Sequence, residues 1–143
     1  MRYIFEYNNF LSHNLSGIAL LVDNKICLVL PRKHKGKKKY SIPKGHIEKN
    51  MTALDNAHKE MLEETGIDIT GYVYDDIVKY IYIKNGVEKS LNVYVYNITL
   101  EEFSEIDRVT RNKKEITKVK LFKKEKAKKM VEKYFEKLID TLL

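Results

Sequence analysis

The sequence predicts an α/β or α+β sandwich, because strand-like and helix-like segments follow one another in mixed order along the chain. Three observations carry this. Two dipeptides suited to tight turns, Asp23-Asn24 and Asn85-Gly86, each separate a pair of segments rich in Val, Ile, Leu and Tyr. Residues 51–65 and a C-terminal stretch instead repeat their apolar side chains at three- and four-residue steps. No Pro- or Ser-rich linker and no internal repeat interrupts this order, so residues 1–143 are expected to form a single domain. A chain of this length buries roughly two-thirds of its unfolded surface, enough for a core without disulfides or structural metal.

Residues 15–22 and 25–31 read as two short apolar strands joined through Asp23-Asn24. The basic run of residues 32–39 follows as a loop. The helical pattern of residues 51–65 ends at Gly66, where a left-handed C-terminal cap is wanted. Residues 72–84 and 87–98 form the second pair of strands around Asn85-Gly86, a dipeptide that favours a type I′ turn. Residues 118–122 supply a last strand. Ala127, Met130, Val131, Tyr134, Leu138 and Leu142 then mark one amphipathic helix packed on the core.

With 43% hydrophobic residues against 33% charged, the chain is an ordered globular protein and not a disordered one. One cysteine, Cys27, excludes an intramolecular disulfide and a Cys/His zinc cluster, and a reducing cytoplasm is the simplest setting. No apolar stretch approaches the roughly 20 residues of a membrane span, and residues 1–7 lack a signal-peptide core, so no membrane partner is expected. The net charge of +7, with a pI near 9.3, favours polyanionic partners. Much of the excess sits in residues 32–39 and in the lysines of residues 123–137, as a solvated surface or as a means of steering phosphates.

Chemistry concentrates in Pro43-Lys44-Gly45-His46-Ile47-Glu48 and in Lys59-Glu60-Met61-Leu62-Glu63-Glu64-Thr65-Gly66-Ile67. At about 100° per residue, Glu60, Glu63 and Glu64 fall within an arc of roughly 100° on one helix face. Met51, Leu54, Ala57, Met61 and Leu62 cluster on the other side. Carboxylates packed so closely repel one another unless a cation sits among them, and hard oxygen ligands select a hard ion. Mg²⁺ fits best and Mn²⁺ fits too.

Together the two segments resemble the Nudix box, with Gly45, Glu60, Met61, Glu63, Glu64, Gly66 and Ile67 at the family's spacing. The resemblance is specific over residues 42–67 and loosely covers the whole chain. It implies an α/β fold of Nudix type, an α/β/α sandwich around a mixed sheet, and a hydrolase that splits a pyrophosphate bond. It also implies that Glu60, Glu63 and Glu64 hold the metal, joined by the backbone carbonyl of Gly45. Glu60 would help position or deprotonate water, and Glu115 looks like the further acid the family supplies before its last strand. Two positions depart from the box: Met51 stands where the family has its first glutamate, and Lys59 where it has arginine. Lysine keeps the charge but not the planar fork of arginine, and Glu48 is the candidate partner for it.

The Pro-Lys-Gly-His-Ile-Glu stretch is similar to the branch that cleaves diadenosine tetraphosphate and other dinucleoside polyphosphates. By that resemblance Lys44 and Lys89 are candidates to bind phosphates. Tyr40, which precedes the stretch, is the leading candidate to stack on a base, with Tyr80, Tyr82 and Tyr94 behind it. RNA 5′ ends and diphosphoinositol polyphosphates are competing substrates. A Nudix-fold module that binds a nucleotide without cleaving it is the alternative of another class, motivated by Met51 and Lys59. His46 and His58 have no evident acid/base partner in the sequence, and His58 falls on the apolar helix face.

Overall fold

Asp23 and Asn24 adopt positive φ, 45° and 67°, and close a hairpin between β1 (Asn14–Val22) and β2 (Lys25–Pro31). Short polar side chains tolerate this left-handed conformation better than branched ones. The structure, a computed structural model, describes residues 14–32, 39–106, 108–109 and 116–143. β3 (Lys44–His46) and the helix α1 (Ala53–Thr65) follow. A second hairpin then joins β4 (Asp76–Lys84) and β5 (Val87–Ile98), with Asn85 at φ 52° and Gly86 at φ 76°, as a type I′ turn requires. The chain continues through α2 (Leu100–Glu105), β6 (Ile116–Lys123), α3 (Lys124–Met130), a 3₁₀ turn (Lys133–Phe135) and α4 (Glu136–Leu142).

The strands form one mixed sheet in the order β4-β5-β1-β2-β6, with β3 attached to β1. β1 runs parallel to β5 along its whole length, while the other ladders are antiparallel. On its other edge β1 pairs with β2 at Leu21 and Val22 and with β3 from Leu15 to Gly17. That splay between β2 and β3 brings the Gly45 segment to the start of β1.

Alternation along β1 divides the core into two layers. Leu15, Ala19 and Leu21 face one apolar cluster, in which Ala127, Phe135, Leu138 and Ile139 of the C-terminal segment are buried. Ile18, Leu20 and Val22 face the other, against Ala57 and Met61 of α1. Because both faces of β1 are covered, it reads as an unbroken apolar run and not as an alternating one. The expected α/β sandwich is therefore present. Cys27 is fully buried, and desolvation raises its thiol pKa to about 12, so it behaves as a small apolar side chain.

Two expectations need correction. The C-terminal stripe is buried as expected at Ala127, Val131 and Leu138, but it is not one helix. Val131 is extended, at φ −99° and ψ 164°, and forms a parallel bridge with Tyr40, whose N–H donates to the Met130 carbonyl at 2.7 Å. A strand-like contact with the segment before β3 thus interrupts the helical period, and a β-branched residue suits it. The strand expected over residues 72–84 begins only at Asp76. Asp75 turns its carboxylate to the N–H of Asn97 at 2.8 Å, so a side chain takes the β5 donor that a longer β4 would have paired. Among the described residues, no helix is long and apolar enough to cross a membrane.

Candidate functional site

Helix α1 owes its start to Thr52, whose hydroxyl accepts from the N–H of Asp55 at 3.1 Å. Its end comes at Gly66, where φ is 79° and the N–H donates to the Leu62 carbonyl at 2.9 Å. A side chain at Gly66 would meet the Val109 backbone as well as the strain of that conformation. Between these caps Ala57 and Met61 are fully buried, and their burial fixes the rotation of the helix. Glu60, Glu63 and Glu64 are consequently turned to the partly exposed face.

Each of those carboxylates meets the Gly45 segment or its surroundings. A Cβ built on Gly45 would overlap the Glu60 carboxylate, so the backbone comes as close to that group as only glycine allows. Glu64 Oε2 accepts from the backbone N–H of Lys44 at 2.9 Å. Glu63 Oε1 lies 2.9 Å from the Lys59 ammonium, which also lies 3.1 Å from Glu48 and 4.0 Å from Glu60. The expected pairing of Lys59 with Glu48 is thus present. The hydrogen bond to Glu63, more than that to Glu48, holds the Lys59 pKa well above the usual lysine range. Met51 closes the loop through its backbone, donating to the Glu48 carbonyl at 3.1 Å, with Asn50 at φ 70° in the turn.

Asn56 is the residue that the sequence reading missed. It is fully buried on α1 and holds three groups at once. Its amide donates to Ser16 Oγ at 3.0 Å and to the Gly45 carbonyl at 3.4 Å, and its oxygen accepts from the N–H of Glu48 at 3.2 Å. Its place four residues before Glu60 and seven before Glu63, on the carboxylate face of the helix, was the available signal.

Lys44 and Lys89 come together with Lys84, Tyr82 and Gly45 in a cleft of about 360 Å³. The Lys44 ammonium lies 5.5 Å from the centroid of the Phe135 ring. Burial lowers its pKa, partly offset by Glu64 and Glu60, and Lys84 and Lys89 lower it further. Tyr82 forms the cleft's aromatic wall, its ring parallel to that of Tyr134 at 5.0 Å between centroids. A larger cleft of about 520 Å³ lies at the other end of β1, beside Asp23 and Lys123, and contains none of these residues.

Tyr40 does not join the cleft. It is 3% exposed and meets Phe122 edge-on at 4.9 Å, so its ring has no face open to a base. The segment containing it is drawn into the core by bridges to Val29 and Val131, which no local pattern announces. Tyr94 is buried against α1's side of the sheet, and Tyr80 donates to the Tyr134 carbonyl. His58, expected to be packed, has Nε2 2.7 Å from the Tyr96 hydroxyl, and burial lowers its pKa. Glu115 and most of the basic loop, residues 33–38, lie outside the described residues. Of the C-terminal lysines, Lys124 and Lys128 lie 3.6 and 3.0 Å from Asp140.

Three carboxylates and a backbone carbonyl are the hard oxygen donors a divalent cation takes, and the glycine cradle at Glu60 admits that close approach. Among the described residues, no three His, Cys, Asp or Glu side chains converge closely enough to hold a metal ion by themselves. Here the Lys59 ammonium is the cation that lies among Glu48, Glu60 and Glu63.

A family model described as NUDIX domain matches residues 13–142. No curated protein matches the sequence. The fold is similar to that of a NUDIX hydrolase from Nitrosomonas europaea, with a TM-score of 0.70 and 15% identity over 90% of this chain and 86% of that one. It is also similar to a C. elegans Ap4A hydrolase, with a TM-score of 0.69 and 16% identity over 89% of this chain and 92% of that one. A bifunctional NMN adenylyltransferase/ADP ribose pyrophosphatase from Francisella tularensis, complexed with AMP and a Mn ion, gives a TM-score of 0.64 and 19% identity. That match covers 99% of this chain and 46% of the longer one. At these identities the likeness is one of fold.

Proposed function

The chain belongs to the Nudix family and is a pyrophosphatase, and on that premise we propose that it cleaves dinucleoside polyphosphates with the help of Mg²⁺ or Mn²⁺. The observation that carries the reading is the meeting of two opposite charges at Gly45. The glutamates of α1 stand on one side and the lysines of the 360 Å³ cleft on the other.

In this reading Glu60, Glu63, Glu64 and the Gly45 carbonyl hold the metal. When bound, the metal lowers the pKa of water and neutralises charge on the phosphates. Glu60, pressed against the Gly45 backbone, orients the attacking water and accepts its proton. Lys44, Lys84 and Lys89 bind the non-bridging oxygens of the polyphosphate, and Lys44 draws its phosphate toward the glutamates by its own position beside Glu64. Tyr82 lines the wall against which a base would lie. Glu115 is kept as the additional acid. Water attacks one phosphorus, the bond to the bridging oxygen breaks, and that oxygen leaves with the other nucleotide as a phosphate.

The three lysines of the cleft favour a chain of several phosphates over a single anhydride, as does the net charge of +7. The Ap4A hydrolase among the similar folds supports the same substrate class. The test is a comparison of product formation on diadenosine tetraphosphate, nucleoside triphosphates, a diphosphoinositol polyphosphate and 5′-triphosphorylated RNA. The proposal expects the highest kcat/KM on diadenosine tetraphosphate, reduced by Lys44→Met and Lys89→Met mainly through KM. A preference for RNA that weakens steeply with salt would replace it.

A further inference from the structure

β4 is an edge strand, and its outer face is apolar. Ile77, Ile81 and Ile83 are 43%, 61% and 66% exposed, although they alternate with the half-buried or buried Val78, Tyr80 and Tyr82. Among the described residues, no backbone hydrogen bond from outside the β4–β5 ladder reaches residues 76–84. A nine-residue strand lined by isoleucine, its outward edge open except where Asp76 Oδ1 caps the N–H of Ile77, is a template for another strand.

The hairpin fixes which backbone groups are open. Lys84 pairs with Val87 across a two-residue turn, so the even-numbered residues of β4 exchange hydrogen bonds with β5. Ile77, Lys79, Ile81 and Ile83 therefore point N–H and C=O outward. Asp76 Oδ1 accepting from the N–H of Ile77 agrees with this.

We propose that a second copy of this chain adds to β4 in antiparallel register about Tyr80, joining two sheets into one. A two-fold axis at Tyr80 matches outward-pointing residues with outward-pointing residues, as the ladder demands. Ile77 then lies opposite Ile83 of the partner subunit, and Lys79 opposite Ile81 of the partner subunit. Charge selects the same register: Asp76 lies opposite Lys84 of the partner subunit, and the symmetry repeats the pair at the other end. Opposite charges and apolar side chains facing across strands stabilise the pairing. Lys79 is the one residue that opposes it, because lysine on an edge resists pairing. Its side chain lies on the exposed face, where the stem covers isoleucine and the ammonium stays in water. Since Lys84 also lines the cationic cleft, the partner's Asp76 stands at the rim of that cleft.

Sedimentation equilibrium of the full chain from micromolar to millimolar concentration tests the proposal. A monomer–dimer equilibrium is expected. Ile81→Lys and Asp76→Lys each weaken it by about tenfold or more, equivalent to about 1.4 kcal/mol, while circular dichroism stays unchanged because both positions are exposed. The charge-swapped double variant D76K/K84D recovers association close to that of the parent. A monomer at every concentration overturns the proposal, as does a dimer indifferent to Ile81→Lys or a swap that fails to restore pairing. A chain shortened to begin at Asn14 that dimerises when the full chain does not assigns the edge to residues 1–13, and this too overturns it.

Discussion

The Lys59 ammonium lies 3.1 Å from Glu48 Oε1, joining the loop that carries Gly45 to the helix that carries the three glutamates. The same ammonium lies 2.9 Å from Glu63, so one lysine links loop and carboxylate face. Met51 cannot supply a charge to this arrangement, and Glu48, three residues earlier, supplies it instead. Lys59→Ala is expected to lower kcat by about tenfold or more, through loss of charge-assisted contacts worth roughly 1.5–3 kcal/mol each in a shielded site and less when exposed. Lys59→Arg keeps most activity. Steady-state kinetics of the two variants decides this; equal loss in both would mean that charge at residue 59 is not what holds the site.

Gly45→Ala separates the site from the fold. The added Cβ overlaps the far end of the flexible Glu60 side chain, which can swing aside at small cost to stability. The carboxylate then leaves its place beside the loop. Thermal melting is expected to change by no more than an overpacking cost of about 1–3 kcal/mol, while activity falls by far more than that loss of stability explains. A variant with normal turnover would show that Glu60 need not approach this backbone.

Asn56→Ala should be the most destabilising of the polar changes near the site. It leaves the buried Ser16 Oγ and the partly buried N–H of Glu48 without their partner. A buried group left so costs about 1–3 kcal/mol, and one within reach of water less. Urea denaturation measures this, and a loss below about 1 kcal/mol would contradict it.

His58 predicts a pH dependence of stability. Burial lowers its pKa below the ordinary 6.5, so in acid the unfolded chain binds a proton that the folded chain resists. Stability attributable to this group is therefore constant above about pH 6.5 and falls as pH drops from there through the folded pKa. His58→Phe removes that part of the slope. Denaturation midpoints of parent and variant between pH 7.5 and pH 5, both roughly bracketing that window, should diverge in this sense; parallel curves would mean that the imidazole titrates alike in both states.

Much of the fold was legible because its signals are local. Two turns announce themselves as Asp23-Asn24 and Asn85-Gly86, and Gly66 ends α1 where a left-handed residue is needed. The carboxylate face of α1 was legible for the same reason, since three residues on one helix carry it. The sequence hid what depends on distant partners. Tyr40 enters the core because Val29 and Val131 bridge to its segment, and Val131 leaves its helix for the same contact. Asn56 becomes a hub only once Ser16 and Gly45 are brought to it by the pairing of β1 with β3. α2 was missed although Thr99 and Glu102 form a capping box, because six residues are too few for a helical period to show.

In the proposed function the glutamate face of α1 hydrolyses polyphosphate with a divalent cation. The most direct test is release of mononucleotide products from diadenosine tetraphosphate with Mg²⁺, with Mn²⁺ and with chelator, for the parent chain and for Glu63→Gln and Glu64→Gln. Cleavage that requires the cation and falls by at least about a hundredfold in both variants, or about 2.7 kcal/mol of transition-state stabilisation, is the predicted result. Turnover that survives chelation, or that both substitutions leave intact, would contradict it.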